Sequence, residues 1–329
     1  MQASLPCTSL DRSARLRPVP LPFQALLDAI AGIDHVPADA QRLFHGRGGL
    51  HPGCEPWTLD FYPPAWLLTS FQPVADDDLA TVQAALRQRW DAIAPGQPLN
   101  LVFQHRDEVR ATTRLLAGTV PDPHDVSEQG ARFKVHLLKG MNHGLFLDMA
   151  EGRRWVRAHV AARPGAKVLN LFAYTCAFSV VAMQAGAGQV INVDMAGGAL
   201  SIGKQNHHLN GITQGASFLP HDIFSSWGKI TRSGPYELVI MDPPTYQKGS
   251  FVAEKDYARL VRRLPDLLAP GGHALLCLNS PKLGPDFLQD LVSAQAPGID
   301  FVERLANPPA FADASPARAL KVLVFKAPG

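Results

Sequence analysis

The stretch KVLNLFAYTCAFSVVAMQAGA, residues 167–187, decides how the chain is read. An apolar run ends at Phe172, a tight polar turn passes through Tyr174, Thr175 and Cys176, and helical spacing resumes at Ala177. Strand, turn and helix in that order are the layout of a nucleotide-binding loop. Yet no glycine lies between Asn170 and Ser179, and bulky side chains there keep the backbone away from a pyrophosphate. The loop must hold something other than a phosphate.

Outward from that stretch the pattern alternates regularly. Apolar strands are expected at 167–172, 189–194, 216–222, 236–242 and 273–279, with late strands at 300–306 and 319–327. Helical segments are expected at 177–185, 199–210, 254–268 and 286–293, and Gly271-Gly272 is expected to close the third of them. Apolar strands alternating with helices predict an α/β fold, a mainly parallel sheet covered on both faces. Residues 1–125 mix short strands and helices and are expected to form a smaller N-terminal α+β domain, with 126–329 as the second domain. There, 21–33 and 76–93 read as helices, and 66–71, 100–105 and 111–117 as strands. The run TVPDPHDVSEQG (119–130) reads as a loop at the boundary.

Composition narrows the classes. Of 329 residues, 46% are apolar and 18% charged, which suits a packed core and excludes a disordered chain. The net charge of +2 means that an anionic partner must be met by a local patch. Cys7, Cys54, Cys176 and Cys277 form no CxxC pair, which points away from disulfides and zinc and towards a reducing cytoplasm. The first 22 residues lack an apolar core for a leader peptide, and no run of about 18 apolar residues would span a membrane.

Ligands of open α/β sheets bind beyond the carboxyl ends of the strands. The candidates there are Asn170, Phe172, Tyr174 and Thr175 after the first strand, Asp194 after the second, Asp222 after the third, and Asp242 after the fourth. Asp194 follows Asn170 at close to the roughly 20-residue spacing that sets a carboxylate on ribose hydroxyls, though it equally suits a helix cap. S-adenosylmethionine has a ribose and an adenine but no phosphate. Its carboxylate suits the helix N-terminus near Thr175 and Ala177, its ribose Asp194, and its adenine amine Asp222.

Asp242-Pro243-Pro244-Thr245-Tyr246 is the most specific signal. Two prolines remove N–H donors and leave the carbonyls and the carboxylate as acceptors for a planar donor such as a nucleobase amine. Tyr246 offers a stacking face. With GLFLD (144–148) and the arginines after it, NLFAYT (170–175), VDMA (193–196), DPPTY (242–246) and LNSPK (278–282), the chain from about Glu128 onward resembles a known family. It is the class I S-adenosylmethionine-dependent methyltransferases of large-subunit ribosomal RNA, both the guanine-N7 half of the bifunctional 23S enzyme and the cytosine-C5 relatives. The resemblance implies a Rossmann-like fold, an RNA substrate, no metal, and cofactor contacts at the strand ends named above.

One departure bears on the reaction. The C5 relatives carry a cysteine where this chain has Asn279, as the guanine-N7 relative does. Carbon methylation needs a thiolate that adds to the pyrimidine, whereas a ring nitrogen already has its lone pair. The reading is therefore nitrogen methylation, with Asp242, Pro243, Pro244, Tyr246 and Asn279 at the reacting base. Cytosine C5 with Cys277, a protein or small-molecule substrate, and a non-catalytic RNA-binding role are the alternatives. His207-His208 and Arg153-Arg154-Arg157 read as surface residues. His221 reads as a structural histidine, and Cys176 and Cys277 as small core or pocket-wall residues.

Overall fold

The computed structural model describes residues 21–107, 110–247 and 251–329. Cys7 and the expected absence of a leader peptide fall outside the described residues.

Five strands, β1 (Gln41–His45), β2 (Trp57–Tyr62), β3 (Ala65–Ser70), β4 (Asn100–Arg106) and β5 (Ala111–Ala117), form a sheet in chain order. Only β3 and β4 are parallel, and the helix α2 (Asp76–Ile93) makes the crossover between them. Every residue of β2 and β3 is buried, because both sheet faces are covered. Trp66 and Leu68 pack with α1 (Gln24–Ala31) and the Leu79, Val82, Leu86 and Trp90 stripe of α2. Their neighbours Ala65 and Leu67 face the other way, into a core shared with the rest of the molecule.

That shared core passes under a hairpin, β6 (His124–Glu128) and β7 (Ala131–Val135). The reading of 119–130 as loop is thus corrected at its second half. Val126 supplies an apolar residue to the core within a polar-looking run, and Gln129-Gly130, both at positive φ, make the tight turn.

The second large sheet has seven strands in the order β10-β9-β8-β11-β14-β16-β15. They are β8 (Lys167–Leu171), β9 (Gln189–Asp194), β10 (Ala216–Pro220), β11 (Tyr236–Met241), β14 (Leu268–Leu278), β15 (Asp300–Arg304) and β16 (Lys321–Lys326). A short ribbon of β12 (Tyr246–Gln247) and β13 (Phe251–Val252) lies apart. β16 runs antiparallel to both its neighbours, and β8, β9, β10, β11 and β14 are parallel. Strand order reverses between β8 and β11, so the ligand crevice is expected beyond their carboxyl ends.

Period-two alternation sends Val168, Ile240, Leu275 and Cys277 to one face, under α3 (Ala150–Ala161) and α4 (Ala177–Gln184). Leu169, Val239, Met241 and Leu276 go to the other, under α7 (Ala253–Val261), α8 (Leu264–Leu267) and α9 (Asp286–Gln295). Two further helices, α5 (Gly197–Leu209) and α6 (Trp227–Arg232), follow β9 and β10.

The single helix expected over 254–268 is two, because Pro265 opens α8 and has no N–H for the preceding turn. Gly271-Gly272 does not end a helix. Both lie inside β14, where Gly271 takes φ +69 and the register against β11 shifts. Among the described residues no helix is long and apolar enough to cross a membrane, and no group of three potential metal ligands occurs.

Candidate active site

A cavity of about 620 Å³ opens at the carboxyl ends of β8, β9 and β11. Its wall includes Phe172, Tyr174, Thr175, Asp194, Asp222, Asp242, Pro243, Pro244, Tyr246 and Asn279. Ten of the eleven candidate site residues therefore meet in one place.

Asn170 does not. Its amide Nδ2 donates to Asn192 Oδ1 at 2.9 Å within the sheet. Asn192 donates in turn to Ser179 Oγ at 3.0 Å, and Ser179 lies 2.8 Å from His207 Nε2. His207 Nδ1 lies 2.7 Å from the Gly203 carbonyl, which completes the chain of bonds. His207 is consequently buried, and burial lowers its pKa, so its expected surface place is corrected. Its neighbour His208 is exposed.

The turn after β8 shows what replaces the missing glycines. Phe172, Tyr174 and Cys176 take φ of 57, 46 and 62, the left-handed region that glycine normally fills. Such residues cost about 1–3 kcal/mol each and persist only where the surroundings hold them. Here the Tyr174 amide donates to Asp194 Oδ2 at 2.8 Å, and the Tyr174 hydroxyl accepts from the Gly144 amide at 3.1 Å. The Thr175 hydroxyl donates to the Gly144 carbonyl at 2.6 Å, and Asn206 donates to the Thr175 carbonyl at 2.9 Å. The GLFLD segment, β9 and α5 thus clamp the turn from three sides.

Asp194 also accepts the Ala196 amide through Oδ1 at 2.8 Å and lines the cavity, while the N-cap of α5 is Ala196 and not Asp194. Asp222 is exposed and accepts the Ser225 amide at 2.9 Å. His221 lies on the cavity wall, with Lys229 Nζ 3.2 Å from its Nε2.

Asp242 lies at the cavity floor, where burial raises its pKa from 3.8 to about 7, with Asp148 adding to the rise and Arg153 opposing it. It is a carboxyl that can hold or release a proton near neutral pH. Asp148 is also a wall residue with a raised pKa, from burial above all, against Arg42 and Arg153. Asp148 is not among the residues expected at the site, although it is the acid that ends GLFLD.

Arg153 is the second correction among the charged residues. It is buried, not solvated, and forms a two-pronged pair with Glu128, both contacts 2.6 Å. It also donates to the Phe146 carbonyl at 2.8 Å, which fixes Phe146 at the cavity mouth, where the residue is 44% exposed. Of its expected partners, Arg154 is exposed and Arg157 partly so.

Beyond β14, Asn279 is exposed and lines the cavity, and its carbonyl accepts the Thr245 hydroxyl. The buried Lys321 Nζ donates to the Ser280 carbonyl next to it, which pins the LNSPK turn. Cys277 belongs to the core beneath the sheet and is not on the cavity wall. Burial, with Asp242 and Asp148 nearby, pushes its thiol well above the usual range. Cys176 is likewise fully buried, at the start of α4. Tyr246, on β12, is 67% exposed at the mouth.

Residues 41–326 match the family model described as S-adenosylmethionine-dependent methyltransferase. The chain is 38% identical over 196 residues to the ribosomal RNA large subunit methyltransferase K/L of Psychrobacter sp., covering 57% of this chain and 24% of that protein. It is 26% identical over 245 residues to the ribosomal RNA large subunit methyltransferase I of Aeromonas salmonicida, covering 73% and 61%. It thus spans from about a quarter to about three-fifths of the length of these relatives. A Streptococcus mutans structure described as a SAM-dependent methyltransferase shares the fold, with a TM-score of 0.77, 22% identity, and coverage of 93% of this chain and 80% of that one. The matched residues, the strand-end acids and the glycine-free turn agree, and the chain belongs to the S-adenosylmethionine-dependent methyltransferase family.

Proposed function

We propose that this protein methylates a base nitrogen of 23S ribosomal RNA, guanine by preference, in the cytoplasm. The observation that carries the nitrogen assignment is the pairing of Asn279 on the cavity wall with Cys277 buried behind it. A thiol in that core cannot reach a pyrimidine carbon, and burial holds it protonated, whereas the nucleophile of carbon methylation is a thiolate. The names of the two ribosomal relatives support an RNA substrate.

The donor set suits S-adenosylmethionine. Asp194 and Asp222 offer acceptors to ribose hydroxyls and an adenine amine, and the start of α4 at Ala177 faces the cavity with its free amides. The turn after β8 has no glycine to bring its backbone against a pyrophosphate. The cofactor supplies an electrophilic methyl group. The chain's own part is positional. Asp242 and the Pro243 carbonyl accept the base's amine, Pro244 keeps that turn rigid, Asn279 meets the base edge, and Tyr246 stacks on its face. We assign residues 126–329 to catalysis and 1–125 to gripping the substrate.

Mass-spectrometric mapping of ribosomal RNA from cells with and without the gene tests this reading. A methylated guanine lost with the gene is expected, and the Cys277→Ala protein should restore it. A covalent adduct between Cys277 and RNA carrying 5-fluorocytosine would overturn the nitrogen assignment in favour of cytosine C5.

A further inference from the structure

A turn of 3-10 helix at Gly46–Gly48, following β1, carries an exposed Arg47. Its flanking glycines leave no room for side chains. A Cβ on Gly46 would stand 1.8 Å from the Cys54 carbonyl oxygen, and one on Gly48 2.1 Å from that of Ala312. The Ala314 amide donates to the Gly48 carbonyl at 2.7 Å, so the turn is wedged between the N-terminal sheet and the segment before β16. Arg47 stands on backbone that cannot give way.

Its guanidinium lies over the Phe71 ring, 4.0 Å from the centroid, and among the described residues it has no hydrogen-bond or ion-pair partner. A stacked guanidinium keeps its N–H groups pointing outward in the plane, where they match the oxygens of a phosphate. Arg106, at the end of β4, donates among the described residues to neutral acceptors: Gln104 Oε1, the Met141 carbonyl and His143 Nε2. Arg42 is neutralised by Asp60, with contacts of 2.7 and 3.0 Å. Other carboxylates nearby are Asp148, Asp313, Asp122, which acts on His143, and Asp107, the chain neighbour of Arg106. Burial first, then Arg42 and Arg47, push His45 down to about 4, with Asp60 and Asp313 opposing.

Arg106 connects this corner to the cavity; burial lowers its pKa, and Arg47 is near enough to add to that fall. Arg106 holds the Met141 carbonyl, and the next residue, Asn142, is on the cavity wall. Phe146 and Tyr246 stand exposed at the same mouth. Exposed aromatic rings and arginines on one molecule are the combination that binds single-stranded nucleic acid, one for bases and one for backbone.

We infer that Arg47, backed by Arg106, is a phosphodiester-binding point on the N-terminal sheet that holds the RNA backbone leading into the cavity. The inference rests on the reading of RNA as the substrate. Other anions, such as free phosphate or a mononucleotide, share the chemistry but have no use for the aromatic mouth.

The test is fluorescence anisotropy with a labelled oligouridylate of about 20 nucleotides, titrated over a range of salt. One phosphate contact to a single strand contributes a slope of about −0.7 in log K against log salt, or about 5-fold in affinity at 0.1 M. Arg47→Ala should weaken binding by about that factor and flatten the slope by about 0.7. Arg47→Glu should weaken it further, and Arg47→Lys should keep most of the slope. S-adenosylmethionine affinity should be unchanged in all three, which also reports folding. Unchanged RNA affinity and slope in both Arg47→Ala and Arg47→Glu would overturn the inference. So would inorganic phosphate or uridine monophosphate displacing the oligonucleotide at concentrations near its own, since the site would then serve small anions. A wild-type enzyme that methylates ribosomal RNA but does not respond to Arg47→Ala refutes only the phosphate point. One that binds the oligonucleotide through Arg47 yet methylates no ribosomal RNA refutes only the substrate reading.

Discussion

Replacing Asp242 with asparagine should expose two opposite effects of pH on this cavity. Burial raises the carboxyl from 3.8 to about 7, Asp148 adds to the rise, and Arg153 opposes it. The folded state therefore binds more protons than the unfolded chain between about pH 4 and 7, and its stability falls as pH rises through that window. The rise corresponds to at most about 4 kcal/mol. Asp242→Asn removes this dependence. The variant should match the wild type near pH 4 and exceed it at pH 8, read as urea midpoints across the range. A cationic cofactor in the same cavity favours the ionised carboxylate. Binding of S-adenosylmethionine at pH 7 should therefore release about half a proton, and wild-type affinity should rise about tenfold between pH 6 and 8. Calorimetry in two buffers of different ionisation enthalpy measures the proton directly. The asparagine variant should release none and show a flat profile. A wild type with no proton release and a flat affinity profile would refute the placement of a protonatable carboxyl against the cofactor.

Tyr246→Ala should lower kcat/KM by about 5- to 150-fold, a loss of about 1–3 kcal/mol, with Tyr246→Phe mild and cofactor affinity constant. Loss of cofactor binding with unchanged substrate kinetics would move that ring to the adenosine. Asp194→Ala removes an acceptor that holds both the Tyr174 and Ala196 amides, and should weaken S-adenosylmethionine binding by about 1.5–3 kcal/mol in calorimetry. Unchanged affinity would exclude Asp194 from the cofactor site. Arg153→Met leaves Glu128 buried without its partner and should cost about 3–5 kcal/mol in denaturant titration, partly recovered by adding Glu128→Gln. A single variant as stable as the wild type would show that the pair contributes nothing.

Much of the large sheet was legible because its strands are apolar runs separated by helical patterns and β9, β10 and β11 each end near an acid. Asp194, Asp222 and Asp242 were found by position alone, as the last polar groups after apolar runs. What escaped was set by tertiary contacts. His207 and Arg153 look like surface residues on their helices, and only Ser179 and Glu128, distant in sequence, show that both are buried. Asn170 sits at a strand end, yet pairing with Asn192 directs it into the sheet. The hairpin at 124–135 was half hidden because its polar residues alternate with a few buried ones, a weak signal over five residues. The left-handed turn at 172–176 was unreadable, since none of its residues favours that conformation and its support comes from Gly144, Asp194 and Asn206.

The core beneath the β6–β7 hairpin has a consequence for how such a chain can be altered or inherited. Ala65, Leu67 and Val102 of the first sheet, Val126 and Phe133 of the hairpin, Val168 of the second sheet and Val156 of α3 belong to one apolar cluster. A cut at residue 125 would strip one wall from that cluster and leave the other facing water. The two parts should melt in a single calorimetric step, and neither should persist as a fragment. A chimera that borrows its first 125 residues from a distant relative would inherit a mismatched seam, unless the partners of Val126 and Phe133 came with it. Substitutions on the two sides of that seam are therefore tied to one another, although they stand far apart in the chain.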